Sequence, residues 1–430
     1  MIRPLLSIAL GALLLASVGC RSDATRSGRV FLIGLDGATW DLLDPMLDAG
    51  KMPNLAGLIA EGTRAPLESL VPTKSPALWT TIATGKSFEK HGINDFTEVT
   101  FDDGTKNMRV MHMTSNMRTT KALWNIVEGD RGRTAFVGWW VSYPAEPVDG
   151  YVVSSRVPLS QSGGKDAPTK GILTADGAGA QTWPRELYDD IVPLIRPAEN
   201  VAYEEAARFM DLTQDELGRD IVEGFRWAYA ADETYRKVAD LLLTRDPDID
   251  LWGLYFNGID VVSHRYWQYL EPSRYPNVNP AEIPRFRAVI ERYYEYTDEL
   301  LGDILARRRP GDTFLVVSDH GFHAHGHKDG PAGIFVAAGT NIEPGAELPP
   351  VELVDVTPTV LALLNLPEAE DMDGRVLDEL LTPAWRDAYP KRRISTYDTE
   401  EWLEARDHTP IPSGADEELM ERLQALGYMN

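Results

Sequence analysis

The chain is 430 residues long, enough at about 150 residues per domain for two to three domains, or for one α/β domain with insertions. Apolar residues make up 43% and charged residues 25%, which argues against a largely disordered protein. Lys plus Arg number 42 against 66 for Asp plus Glu, a formal charge of −24. That balance argues against a nucleic acid scaffold as partner, while a small phosphate stays open because bound metal ions can reverse the field of one pocket.

Met1-Ile2-Arg3 supplies a basic start, and Leu5 to Val18 is an uncharged run. Its length suits a secretory signal and falls short of the roughly 20 residues that span a bilayer. The pattern predicts a signal peptide over 1–19. The sole cysteine, Cys20, follows Ser17-Val18-Gly19, an arrangement that resembles the lipobox of bacterial lipoproteins, with Ser17 where Leu is usual. The alternative is an ordinary signal peptide cut near Gly19, with Cys20 a free thiol. The resemblance implies lipidation of Cys20, a polar tether over 20–29, and a place in the bacterial cell envelope, anchored to a membrane and facing outside the cytoplasm. One cysteine also excludes an internal disulfide, a thiolate metal cage and a Cys nucleophile in the body of the protein. The chemistry falls to oxygen and imidazole.

From Val30 the order is strand, helix, strand. VFLIGL (30–35) is a continuous apolar run suited to a strand buried on both faces. A helix-like pattern over Trp40 to Glu61 is interrupted by Gly50 and Pro53. Apolar runs recur at Thr134 to Val141, Leu251 to Phe256, Thr313 to Val317 and Gly333 to Ala338. Helical stretches stand between and after them at Thr120 to Val127, Leu217 to Leu243, Ile283 to Arg307 and Val356 to Leu364. The alternation predicts an α/β fold over 30–380, with a mostly parallel sheet flanked by helices on both faces. Residues 158–213 turn rich in Gly, Ser, Ala and Pro and are expected to form an inserted cap over the sheet rather than another strand. Residues 381–430 read as a helical tail, of which Ala415 to Tyr428 is amphipathic with an acidic start and is expected to dock on the body.

The informative residues stand where predicted strands end, the place open α/β sheets put their ligands. Asp36 closes the first strand in GLDG. PTKSPALWTT (72–81) sets Ser75 ahead of a helical run with Pro76 in its first turn. Alone, Ser75 reads as an N-cap and Asp36 as a loop pin. Of the 8 histidines, His264, His320, His323, His325 and His327 fall together in the C-terminal half. Asp260 and His264 are spaced to share one helix face. Asp319-His320 follows FLVVS, where adjacent side chains can diverge toward two neighbouring ions, and His327 lies within reach on the next loop. The plain alternative, a surface HAHGH tract that captures metal adventitiously, does not call for Asp260 and Asp319 near strand ends.

In this order GLDG, PTKSP, DVVSH, SDHGF and GHKDGPAGIFVAAG resemble the alkaline phosphatase superfamily, in its type I phosphodiesterase/nucleotide pyrophosphatase branch, from about Val30 to Leu380. The resemblance implies an alkaline phosphatase-like fold and two divalent ions, zinc or manganese given ligands without sulfur. One ion would be held by Asp36, Asp319, His320 and the nucleophile Ser75. The other would be held by Asp260, His264 and His327, with His325 competing for the third place. It implies a phosphodiesterase or related phosphate-ester hydrolase that forms a covalent intermediate on Ser75, acting on a small-molecule or lipid phosphate ester. A phosphomonoesterase, a phosphoryl-group transferase and a non-catalytic envelope lipoprotein are the alternatives. Lys74 either attracts the phosphate or is merely solvated. Leu78 stands where nucleotide pyrophosphatases carry an Asn, and the Cys/Ser-x-Pro-x-Arg motif of sulfatases is absent. Trp139, Trp140 and Tyr143 read as pocket wall or buried aromatics, and Arg265, Tyr266 and Trp267 as substrate contacts or helix packing.

Overall fold

The computed structural model describes residues 28–101, 108–159, 180–327 and 331–428, so the expected signal peptide and Cys20 lie outside it. Its strands are β1 (Val30–Leu35), β2 (Thr63–Glu68), β3 (Thr97–Phe101), β4 (Met108–His112), β5 (Thr134–Val137), β6 (Gly150–Val153), β7 (Thr182–Trp183), β8 (Leu251–Phe256), β9 (Thr313–Val317), β10 (Gly333–Gly339) and β11 (Val351–Glu352). The helices that matter for the site are α1 (Trp40–Asp48), α2 (Pro53–Glu61), α3 (Ser75–Thr84), α4 (Asp220–Arg245), α5 (Gly258–Leu270), α6 (Val289–Leu305), α7 (Val356–Leu363) and α8 (Asp416–Ala425).

Nine strands form one sheet in the order β11-β2-β10-β9-β1-β8-β5-β6-β7. The central run β9-β1-β8-β5-β6 is parallel. β10 is antiparallel to both β9 and β2, and β7 is antiparallel on the far edge. The mostly parallel sheet expected from the sequence is therefore parallel at its centre and mixed toward its edges. β1 shows why its sequence is apolar throughout. Phe31, Ile33 and Leu35 enter a core built with α1, α2, α4, α5 and α6, while Val30 and Leu32 enter the opposite core with α3 and α7. Both faces are covered, so no position can be polar.

Three expectations change. The Thr134 to Val141 run ends as a strand at Val137, because Gly138 (φ 78°) and Val141 (φ 55°) turn the chain with left-handed backbone. The cap expected over 158–213 belongs to the body from residue 180 onward. Thr182–Trp183 adds an edge strand, and Leu187, Ile191, Val201, Phe209 and Met210 are buried in the main core, which their apolar spacing among Pro and Gly concealed. Residues 160–179 lie outside the described set. At the tether, Arg29 is part of the fold: it is buried, and its Nε donates to Asp312 Oδ1 at 3.0 Å. Among the described residues no helix is long and apolar enough to cross a membrane.

The register aligns the carboxyl ends of the central strands, Leu35 beside Phe256 and Gly34 beside Val317. One buried acid holds the turn that leaves β8. Asp232 on α4 accepts from the Asn257 N–H at 3.2 Å and the Tyr293 hydroxyl at 2.8 Å. Burial pushes its carboxyl up to about 7, only partly offset by the Tyr293 bond. The unfolded carboxyl titrates near 3.9. The folded state therefore binds the extra proton between those values, and stability falls as pH rises through that window, by roughly 4 kcal/mol in all. Asp232→Asn keeps the acceptor for Asn257, so it should raise the unfolding midpoint by several degrees more at pH 8 than at pH 5. Equal shifts at the two pH values in thermal melts would count against a costly ionised Asp232.

Candidate metal centre

Asp36 follows β1, Asp319 and His320 follow β9, and one ligand atom from each lies within 4.8 Å of the others. His320 Nε2 stands 3.3 Å from Asp36 Oδ1 and 3.6 Å from Asp319 Oδ2. The His320 Nδ1–H donates to the Gly321 carbonyl at 3.0 Å, which leaves Nε2 as the acceptor, the orientation a metal ligand needs. Asp260 and His264, one turn apart on α5, meet His327 in a second cluster of the same tightness. The two clusters adjoin, since the His320 and His327 rings stack with centroids 4.3 Å apart. His325 is exposed and outside the cluster, and His327 takes the third place. All six predicted acid and imidazole ligands thus converge in two sets.

Gly37 lets the sets approach. Its φ is 74°, and a Cβ there would stand 3.0 Å from both Cα and Cβ of Asp260. Any larger residue would wedge the end of β1 away from α5.

The electrostatics are those of sites built for cations. Asp36 Oδ1, Asp260 Oδ1, both oxygens of Asp319, His320 Nε2 and His327 Nδ1 are buried without a hydrogen-bond partner. Burial raises the carboxyls of Asp36, Asp260 and Asp319, and for Asp319 the neighbouring Asp36 and Asp260 raise it further. Burial lowers His264 well below its usual range, His320 to about 4 and His327 to about 3. Neutral imidazoles facing orphaned carboxyl oxygens cannot neutralise one another, whereas a divalent ion satisfies both. Oxygen and nitrogen donors without sulfur suit zinc or manganese.

Each cluster also has one acid held from behind. Asp36 Oδ2 accepts from Trp79 Nε1 at 3.1 Å and from the Tyr255 hydroxyl, while Oδ1 stays free. Asp260 repeats the arrangement. Its Oδ2 accepts from the Tyr428 hydroxyl at 2.6 Å, and Oδ1 stays free. The Tyr428 oxygen also lies 2.9 Å from His264 Nε2. Sequence reasoning missed these partners. Trp79 carried a signal, one helical turn beyond Ser75, but Tyr255 and Tyr428 become neighbours only through the sheet and the docked tail.

Ser75 is 1% exposed and is the first residue of α3, and it lines one chamber with Asp36 and Asp260. It is not the N-cap, which falls to Lys74, so its hydroxyl is not spent on capping. The Lys74 amine pairs with Asp95 at 3.3 Å and lies over the Phe96 ring. Trp140 and Tyr143 line the chamber, whereas Trp139 is buried against Trp79. Arg265, Tyr266 and Trp267 turn to Asp220, the Ile221 carbonyl and Glu271 and serve packing. His91 is structural: its Nδ1 accepts from the Ile93 N–H and its Nε2–H donates to Thr81.

The fold agrees with the comparisons. The model of the type I phosphodiesterase / nucleotide pyrophosphatase family matches residues 30–338, and the chain belongs to that family. Among solved structures, a 2-O GAG sulfatase aligns at 10% identity and a TM-score of 0.50, over 86% of this chain and 76% of its own. Murine ectonucleotide pyrophosphatase / phosphodiesterase 5, in complex with AMP, aligns at 14% and 0.45, over 83% and 100%. Phosphonoacetate hydrolase from Sinorhizobium meliloti aligns at 17% and 0.39, over 71% of this chain and 60% of its own, so the chain spans about three fifths of that enzyme's length. At such identities the likeness concerns the fold alone. No curated relative matches the chain.

Two separate ligand sets predict two separable ions. His320→Ala and His264→Ala should each remove about one equivalent of zinc per chain, and the double variant about two, by elemental analysis of dialysed protein. Unchanged metal content in either single variant would disprove its cluster.

Proposed function

We propose that the chain is a metal-dependent phosphoric ester hydrolase acting on phosphodiesters or related phosphate esters through a covalent intermediate on Ser75. The observation that carries this reading is the pair of orphaned acid–imidazole clusters beside a buried serine not used as a cap. Asp36, Asp319 and His320 with Ser75 would hold one divalent ion, and Asp260, His264 and His327 the other. When bound, such ions supply the positive charge that favours a serine alkoxide and stabilises attacking and leaving oxygens at phosphorus.

The chain's own residues do the rest. Ser75 Oγ forms the new P–O bond from the first turn of α3, where the helix dipole favours negative charge. The ester P–O bond breaks and the alcohol leaves. Water then cleaves the Ser75 ester and restores the hydroxyl. Trp79 and Tyr255 hold Asp36, and the Gly321 carbonyl fixes the His320 tautomer, so the ligands are oriented before substrate arrives. Leu78, 0% exposed where the family's nucleotide enzymes carry an Asn, supports a substrate other than a nucleotide.

Turnover of bis-p-nitrophenyl phosphate should vanish in chelator and return with zinc or manganese. Ser75→Ala should lower kcat by about 10³-fold or more while leaving the melting curve unchanged. Full activity in chelator, or in the serine variant, rejects the assignment.

We also propose that Cys20 is lipidated and tethers the mature chain in the cell envelope, on the strength of its place after the Leu5 to Val18 run and its being the sole cysteine. Cys20→Ser should move the protein from the membrane fraction to the soluble one and abolish labelling by radioactive palmitate. Retention of both membrane association and label would refute the anchor.

A further inference from the structure

Beside Ser75 and the clusters the site widens into a chamber open to solvent at one side. The wall is mostly hydrocarbon. Trp140 and Val141 come from the turn after β5, Trp227 from α4, and Leu419, Leu423 and Leu426 from the end of the chain, with α8 as the roof. That roof is strapped down. Arg156, 3% exposed, donates to Asp416 Oδ1 at 2.7 Å and to Ser413 Oγ at 2.8 Å. His112 Nε2 meets the Asp416 carbonyl at 3.0 Å, and the Tyr143 hydroxyl donates to the Pro412 carbonyl at 3.0 Å.

The polar groups of the wall are largely engaged by the protein itself. Arg156 is paired with Asp416 and Arg422 with Glu418, and the Tyr235 hydroxyl donates to the Ser155 carbonyl. His112 Nδ1, Asn257 Oδ1 and Arg422 Nε are without a partner, one each from β4, the turn after β8 and α8. A nucleoside moved here would exchange water for walls whose donors are mostly taken, which costs binding for every unpaired polar edge. A hydrocarbon chain loses no hydrogen bond on entering, and each buried methylene is worth roughly threefold to fourfold in affinity.

We propose that this chamber is the subsite for the organic arm of the ester, and that the arm is an aliphatic chain covered by α8. The assignment rests on Ser75 as the nucleophile, since it is Ser75 that sets the phosphate at the chamber's inner end. It makes the end of the chain a determinant of specificity and defines the substrate as an amphiphilic phosphate ester.

The test is calorimetric titration of the zinc-loaded, full-length mature protein with methyl-, butyl- and octylphosphonate and with AMP, in wild type and in Leu426→Glu. Leu426 is half-buried at the roof, at the margin of the main core, so melting curves of both proteins accompany the titrations. Affinity should rise at least about 30-fold from methyl- to octylphosphonate in wild type, and the preference should shrink at least tenfold in Leu426→Glu. Octylphosphonate binding no tighter than methylphosphonate, AMP binding tighter than octylphosphonate, or an undiminished octyl preference in Leu426→Glu would each overturn the subsite. Chain-length-dependent binding without hydrolysis of any diester would instead overturn the catalytic reading of Ser75 and leave the subsite standing.

Discussion

Asp36, Asp260 and Asp319 are gathered at the ends of parallel strands with their free oxygens out of water and close to one another. Ionised together without a counter-charge, three such carboxylates would cost several kcal/mol each. Protonated, they would be as neutral as the buried imidazoles of His264, His320 and His327 beside them. No basic side chain reaches them among the described residues: Lys74 is turned to Asp95, and Arg156 and Arg422 are committed to the tail. A divalent ion between the acids would satisfy their free oxygens and the imidazole nitrogens together. A formal charge of −24 does not decide the field at this site, because an ion bound there would set it locally.

The sheet meets this constraint by register rather than by local sequence. β1 lies between β8 and β9, so the residues that follow each strand share one rim. Gly37 removes the one Cβ that would hold Asp36 away from Asp260. Asp232 ties the β8–α5 turn to α4 and α6, which sets where α5 starts and hence where Asp260 and His264 point. Five of the six ligands follow strand ends or stand on α5, and His327 comes from the loop between β9 and β10. Placement on strand ends and a helix gives those five the rigidity a two-ion site needs.

Much of this could be read from the residues alone, and the boundary is physical. Continuous apolar runs gave β1, β8 and β9 because both their faces are covered. The i, i+4 spacing of Asp260 and His264, and the adjacency of Asp319 and His320, placed ligands on the correct elements. What stayed hidden depends on contacts across the chain. β7 is two residues long and has no periodicity to detect. The segment around Phe209 and Met210 lacks a helical pattern because it is buried by irregular backbone. Tyr255 stood within an apolar strand run, and Tyr428 at the end of an amphipathic stretch expected to dock on the body with no partner named. Each became an acid's hydrogen-bond donor only when distant elements met. The choice of His327 over His325 is likewise geometric, since two residues apart on a loop they face opposite ways.

The parallel between Tyr255 and Tyr428 bears on why the tail is docked so firmly. Asp36 and Asp260 each keep one oxygen for a cation and give the other to a phenol, which fixes the carboxylate plane. For Asp36 that phenol is part of the sheet, so its position comes with the fold. For Asp260 it stands at the far end of the sequence and must be brought back by separate means. The pair of buried Arg156 with half-buried Asp416, the His112 and Tyr143 bonds and the leucines of α8 supply them. The same helix that delivers Tyr428 roofs the chamber beside Ser75. Orientation of the second acid cluster and the shape of the chamber therefore depend on one docking event, and neither can drift without the other.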